Sequence, residues 1–167
     1  MQIAYLILAH NQPGQLERLI QRLDGSNVHF FVHVDKKSAD KAAIFSALSK
    51  FPNVRAVSDF DVNWMGFNMV LSTIGLMKLA LSAGISFKYF VLLSGQDYPI
   101  KGKQYIDQFL EQHDQDFISF ARISDAADNY KNKVRYYHYY DFPYSNPRNS
   151  RKIPFLVYLY YGIHRRF

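Results

Sequence analysis

The sequence predicts an α/β protein: a Rossmann-like, mainly parallel sheet with helices on both faces. Short apolar runs rich in β-branched and aromatic residues alternate with segments of helical periodicity, and this continues to residue 122. Composition agrees. With 167 residues, 49% apolar and 20% charged, the chain can bury one core and does not belong to the disordered class.

Ile3–Ala9 reads as a buried first strand. Pro13 then opens a helix with Leu16, Leu19, Ile20 and Leu23 at i, i+3, i+4 and i+7, and Gly25 closes it. Val28–Val34 is the second strand; Ser38 is the expected N-cap of a helix carrying Ile44, Ala47, Leu48 and Phe51. After a short third strand at Val54–Val57, the run Phe67, Val70, Leu71, Ile74, Met77 and Leu81 is apolar on most sides, which predicts a deeply packed helix under the sheet. Residues 87–93 give a fourth strand. Ile106, Phe109, Leu110 and His113 mark the next helix, where His113 has a structural place, and residues 117–120 suggest a fifth strand.

Residues 1–128 hold 12 Lys/Arg and 13 Asp/Glu, whereas residues 129–167 hold 8 and 1, so the net charge of +6 lives in the tail. Nine of the 13 tyrosines lie there too. The expected organisation is therefore an α/β domain over residues 1–122 and a basic, tyrosine-rich segment over residues 123–167. There is no cysteine, hence no disulfide framework or thiolate metal site. The first ten residues lack a basic region and are too short an apolar run for a signal peptide or membrane span. A cytoplasmic protein is expected, with peripheral membrane contact through the basic tail as an option.

In doubly wound sheets ligands bind beyond the carboxyl ends of the strands, where the winding reverses. Two strand ends here are unusually polar: His10-Asn11-Gln12 after the first strand and Ser94-Gly95-Gln96-Asp97 after the fourth. The second strand ends in Asp35, placed as the carboxylate that accepts paired hydrogen bonds from a ribose. No Gly-x-Gly-x-x-Gly and no Gly-Lys-Ser/Thr occurs, which disfavours dinucleotide oxidoreductases and phosphate-loop ATPases.

Four segments in order, residues 4–10, residues 32–38, Trp64-x-Gly66 and residues 89–101 (Tyr-x-Val-Leu-Leu-Ser-Gly-Gln-Asp-Tyr-Pro-Ile-Lys), make residues 3–122 resemble glycosyltransferase family 14. That family contains the core-2/I-branching β-1,6-N-acetylglucosaminyltransferases and the peptide O-xylosyltransferases. The resemblance implies a GT-A fold, a UDP-sugar donor, a glycan or peptide hydroxyl acceptor, inversion at the anomeric carbon and a glutamate base. It also implies basic side chains in place of a metal on the diphosphate, and no cofactor. The base and those basic residues belong to the family's C-terminal half; neither a Gly-Ser-x-Trp-Trp-like strand nor the Asp-Glu segment after it occurs here, so sugar transfer by these 167 residues alone is not expected.

On this reading His10, Asn11, Asp35, Trp64, Gln96 and Asp97 form the donor side, and Arg135 and Tyr136 face the acceptor. Each has a plainer alternative. His10 could be a strand-end histidine bonded to a loop, Asp35 a helix cap, Asp97 a turn residue and Trp64 a packing residue. Asp59-Phe60-Asp61 has the Asp-x-Asp form of a metal motif but follows the third strand, away from the expected switch point, so it is read as a solvated loop and no metal is assigned. Lys131, Lys133, Arg135 and the neighbouring tyrosines could serve a sugar or, in a rival reading, a non-catalytic module for single-stranded nucleic acid; the transferase reading predicts no nucleic acid partner. The apolar residues 155–161 could simply be covered by other parts of the protein.

Overall fold

The computed structural model describes residues 1–64 and 66–119. Their contacts divide into a larger unit, residues 1–62 and 68–114, and a second that holds, among the described residues, 63–64, 66–67 and 115–119.

The larger unit runs β1 (Ile3–Ala9), α1 (Pro13–Leu23), β2 (Val28–Val34), α2 (Lys41–Leu48), β3 (Val54–Val57), α3 (Phe67–Leu81), β4 (Tyr89–Ser94) and α4 (Lys103–Gln112), with Phe67 alone grouped elsewhere. The four strands are all parallel in the order β3-β2-β1-β4. The chain winds outward from β1 through β2 to β3, then returns to place β4 on the other side of β1. The reversal thus falls between β1 and β4.

Register explains the continuous apolar runs. Ile3, Tyr5, Ile7 and Ala9 meet Val28, Phe30, Val32 and Val34 on one face, where α1, α2 and α4 supply Leu16, Leu19, Ile20, Ile44 and Leu110. Ala4, Leu6 and Phe31 face the opposite way, against Leu76 and Ala80 of α3. Strand β1, covered on both faces, is apolar throughout, whereas β2 admits His29 and His33 on the face of Phe31. Pro13 occupies the first turn of α1, where its missing N–H removes nothing the helix needs.

Four expectations are corrected. Only Ser72, Leu76 and Ala80 of α3 are buried, while Phe67, Val70, Ile74, Met77 and Leu81 form an exposed apolar stripe. Burial against one sheet layer uses a single helical face, so apolarity all round did not mean burial all round. Ser38 is not the cap of α2: the helix begins after Asp40, and the Ser38 hydroxyl donates instead to the His10 carbonyl at 2.6 Å. The fourth strand starts two residues later than expected and includes Ser94. Residues 117–119 form no strand, Phe117 and Ile118 being exposed; Phe120 lies outside the described residues. His113 caps the end of α4, its Nδ1 2.6 Å from the Phe109 carbonyl, while its own carbonyl accepts from the Tyr89 hydroxyl. No helix among the described residues is long and apolar enough to cross a membrane.

Candidate functional site

Because the sheet is parallel, the ends of β1, β2 and β4 open on one edge, and three loops meet there. The loop after β1 begins with His10, exposed, and Asn11, half-buried. Gln12 follows with a left-handed backbone, φ 56° and ψ 62°, unusual for a residue with a side chain. The turn is held from the β2–α2 loop: Asp40 Oδ2 accepts the Gln12 amide at 3.2 Å, beside the Ser38 bond to His10. Gln12 in turn offers its carbonyl to the amides of Gln15 and Leu16, starting α1.

Asp35 is buried at the end of β2, with its amide donating to the Ala9 carbonyl at 2.8 Å. Its Oδ1 accepts the amides of Lys37, at 3.2 Å, and Val62, at 3.0 Å. The carboxylate therefore ties the loop after β3 to the end of β2. That loop has two further stitches: the Lys36 amide donates to the Phe60 carbonyl at 3.0 Å, and the Phe60 amide donates to His33 Nε2 at 3.2 Å. His33 is itself buried, and burial lowers its pKa below the usual histidine value against the opposing pull of Asp59 and then Asp35. Asp59 and Asp61, the Asp-x-Asp pair, point into solvent. The backbone of this loop, rather than its carboxylates, is what reaches the end of β2.

Beyond β4 the Gly95 amide continues the ladder to the Leu8 carbonyl at 2.8 Å. A Cβ on Gly95 would come within 3.1 Å of Ala9 Cβ and 3.3 Å of Ala9 Cα, so glycine lets the two strand ends close up. The Asp97 carboxylate turns back to accept the Ser94 amide at 2.8 Å, making the loop a tight turn. Gln96 then reaches across the switch point and donates from Nε2 to Asn11 Oδ1 at 3.0 Å. Gln15 of α1 makes a weaker bond, 3.4 Å, to the Asp97 carbonyl.

The structure thus brings together His10, Asn11, Asp35, Gln96 and Asp97 at one sheet edge. Trp64 belongs to the second unit, where its ring is largely exposed. Arg135 and Tyr136, with the rest of the basic segment, lie outside the described residues. Sequence reasoning missed the supports: Ser38, Asp40, Gly95, His33 and the amides of Phe60 and Val62. Gly95 alone left a signal, as the glycine between an apolar strand and a polar turn.

This edge, at the reversal of an all-parallel sheet, agrees with one family. Residues 3–153 match the core-2/I-branching enzyme family. The chain belongs to that family. The match runs past residue 122, where the recognisable motifs end. Among curated relatives, human β-1,3-galactosyl-O-glycosyl-glycoprotein β-1,6-N-acetylglucosaminyltransferase 3 is 31% identical over 112 residues, 65% of this chain and 26% of that protein. Human N-acetyllactosaminide β-1,6-N-acetylglucosaminyl-transferase is 29% identical over 112 residues, covering 65% of this chain and 28% of its own. A Bovine herpesvirus 4 β-1,3-galactosyl-O-glycosyl-glycoprotein β-1,6-N-acetylglucosaminyltransferase is 32% identical over 102 residues, 59% of this chain and 23% of the viral protein. The chain spans about a quarter of the length of these relatives. Its α/β architecture with an all-parallel four-stranded sheet is consistent with a partial GT-A-like domain.

Proposed function

We propose that this chain forms the donor-binding part of an inverting glycosyltransferase that moves N-acetylglucosamine from UDP to a hydroxyl of a glycan, with no metal and no other cofactor. The observation that carries this reading is the Gln96–Asn11 bond across the β1–β4 reversal, in a chain of the core-2/I-branching family. It places paired amide side chains where doubly wound sheets hold a nucleotide. N-acetylglucosamine is preferred over xylose because the relatives are N-acetylglucosaminyltransferases by name. Asp35 supplies the nucleoside contact through Oδ2, since Oδ1 is taken by two backbone amides. His10 and Asn11 flank the same ligand, and Trp64 and Asp97 belong to the donor side. Arg135 and Tyr136 are assigned to the acceptor, and no residue of this chain is assigned as the base. The nucleic-acid reading rests wholly on the tail and gains no support from the described residues.

Calorimetric titration with UDP tests the assignment. Asp35→Asn retains an oxygen for the Lys37 and Val62 amides while removing the charge. It should weaken UDP binding by about 1.5–3 kcal/mol, the usual loss of a hydrogen bond to a charged group. Equal affinity of variant and native chain would remove Asp35 from the site.

A further inference from the structure

At the opposite edge of the sheet from the strand-end loops, on the α3 face, a pocket of about 280 Å³ lies between β2, β3 and the turn that follows α3. Phe31 of β2 with Ala83 and Ile85 of the turn makes its lining apolar, and His29 and Arg55 add nitrogen donors. Register and one glycine build it. Phe31 pairs with Arg55, so His29, Phe31 and Arg55 share a face of the sheet. Gly84, at φ 71°, turns the chain tightly enough to bring both Ala83 and Ile85 to the pocket. The rings of His29 and Phe31 are held in place, each edge-on to Phe87 with centroids 5.6 and 5.9 Å away. Arg55 is exposed and makes no ion pair among the described residues, and no carboxylate lines the pocket. Asp24, which reaches the lining only through Asn53, already accepts the Asn53 side-chain amide and the Gly25 amide, both at 2.9 Å.

We propose that this pocket binds a small carboxylate carried on a flat apolar group, with the Arg55 guanidinium as its charge partner and the His29 ring as a second donor. A guanidinium presents a planar fork that matches the two oxygens of a carboxylate, and it stays charged at any working pH. Imidazole keeps at least one N–H in either protonation state, so His29 can donate throughout. The apolar group would lie against Phe31, Ala83 and Ile85. A cationic ligand is disfavoured, because the lining offers it no carboxylate. A phosphate monoester would bring about 1.5 to 2 negative charges to a single guanidinium, a poorer match than a carboxylate. A charge on the edge strand β3 also discourages pairing with another chain, and that role alone predicts no ligand. The inference is independent of UDP binding, since no lining residue comes from the strand-end loops.

Benzoate, benzamide and phenyl phosphate are probes that share one ring and differ in charge. In the full chain the methyl resonances of Ala83 and Ile85 should shift saturably with benzoate, and benzamide should bind about fivefold more weakly or worse. Arg55→Gln, at an exposed position, should bring benzoate down to the affinity of benzamide, whereas Arg55→Lys should keep part of the gain. Ala83→Leu, at a half-buried position, fills the apolar part of the pocket and should weaken benzoate and benzamide alike. The proposal is overturned if benzoate shifts neither methyl or if benzamide or phenyl phosphate binds as tightly as benzoate. It is equally overturned if Arg55→Gln leaves the preference for benzoate intact, or if Ala83→Leu leaves binding unchanged.

Discussion

His33 shows how one buried side chain can set the pH behaviour of a loop. Its Nε2 accepts the Phe60 amide, which requires the neutral ring, and burial holds its pKa below the ordinary histidine value of 6.5. Below that value the unfolded chain takes up a proton that the folded chain resists. Stability should therefore fall as pH drops from 6.5 toward the lowered folded-state pKa, and should be restored as pH rises through the same window. His33→Gln keeps an acceptor and loses the titration. Urea unfolding at about pH 7.5 and about pH 5.5 should show a steeper loss for the native chain than for this variant. Parallel losses would assign the acid sensitivity to other groups. Asp35 teaches a related point at the same scale. Its position at the end of β2 was legible in the sequence and its bond to the Lys37 amide is a local turn contact, but the second amide on its Oδ1, that of Val62, comes from a loop 27 residues on, which no local pattern encodes.

Between elements, the close contact of β1 and β4 sets the geometry of the candidate site. Gly95→Ala would force a methyl against Ala9 Cα, which belongs to a strand paired on both sides and cannot easily retreat. Overpacking of this kind costs about 1–3 kcal/mol, and chemical denaturation should report a loss in that range. An unchanged midpoint would show that the strand ends can part freely. Strands β1, β2 and β3 were legible to the residue because short runs rich in apolar and β-branched residues are bounded by polar turns, although β2 carries His29 and His33 and β3 is only partly buried, with Arg55 exposed. Helix α3 was legible as a helix but not in its burial. Its sequence records which surfaces are apolar, whereas the number of layers covering them is a property of the rest of the fold. Ser38 misled for a different reason: its hydroxyl donates to a carbonyl 28 residues away and accepts the Asp40 amide ahead of α2, so it holds the loop before the helix and not the helix itself.

For the larger unit as a whole, strand order decides what the Asp-x-Asp pair can do. Asp59 and Asp61 follow β3, and the order β3-β2-β1-β4 puts β2 and β1 between that strand and β4. Both carboxylates are exposed, while the backbone between them is committed to His33 and Lys36. A cation bridging protein and diphosphate has to lie beside the phosphates, and the nucleotide is proposed at the reversal between β1 and β4. Carboxylates that bind such a cation belong on the loop after β4. There the one carboxylate, Asp97, is turned back onto the Ser94 amide, which already neutralises part of its charge. UDP affinity measured by calorimetry should accordingly be the same, within about twofold, in EDTA and in excess Mn²⁺. A tenfold or larger gain with Mn²⁺, about 1.4 kcal/mol, would show that a carboxylate shares the nucleotide with a metal. If Asp59→Asn with Asp61→Asn then abolished that gain, the metal would be held by the β3 loop, and the nucleotide would have to lie nearer β2 than the strand order predicts.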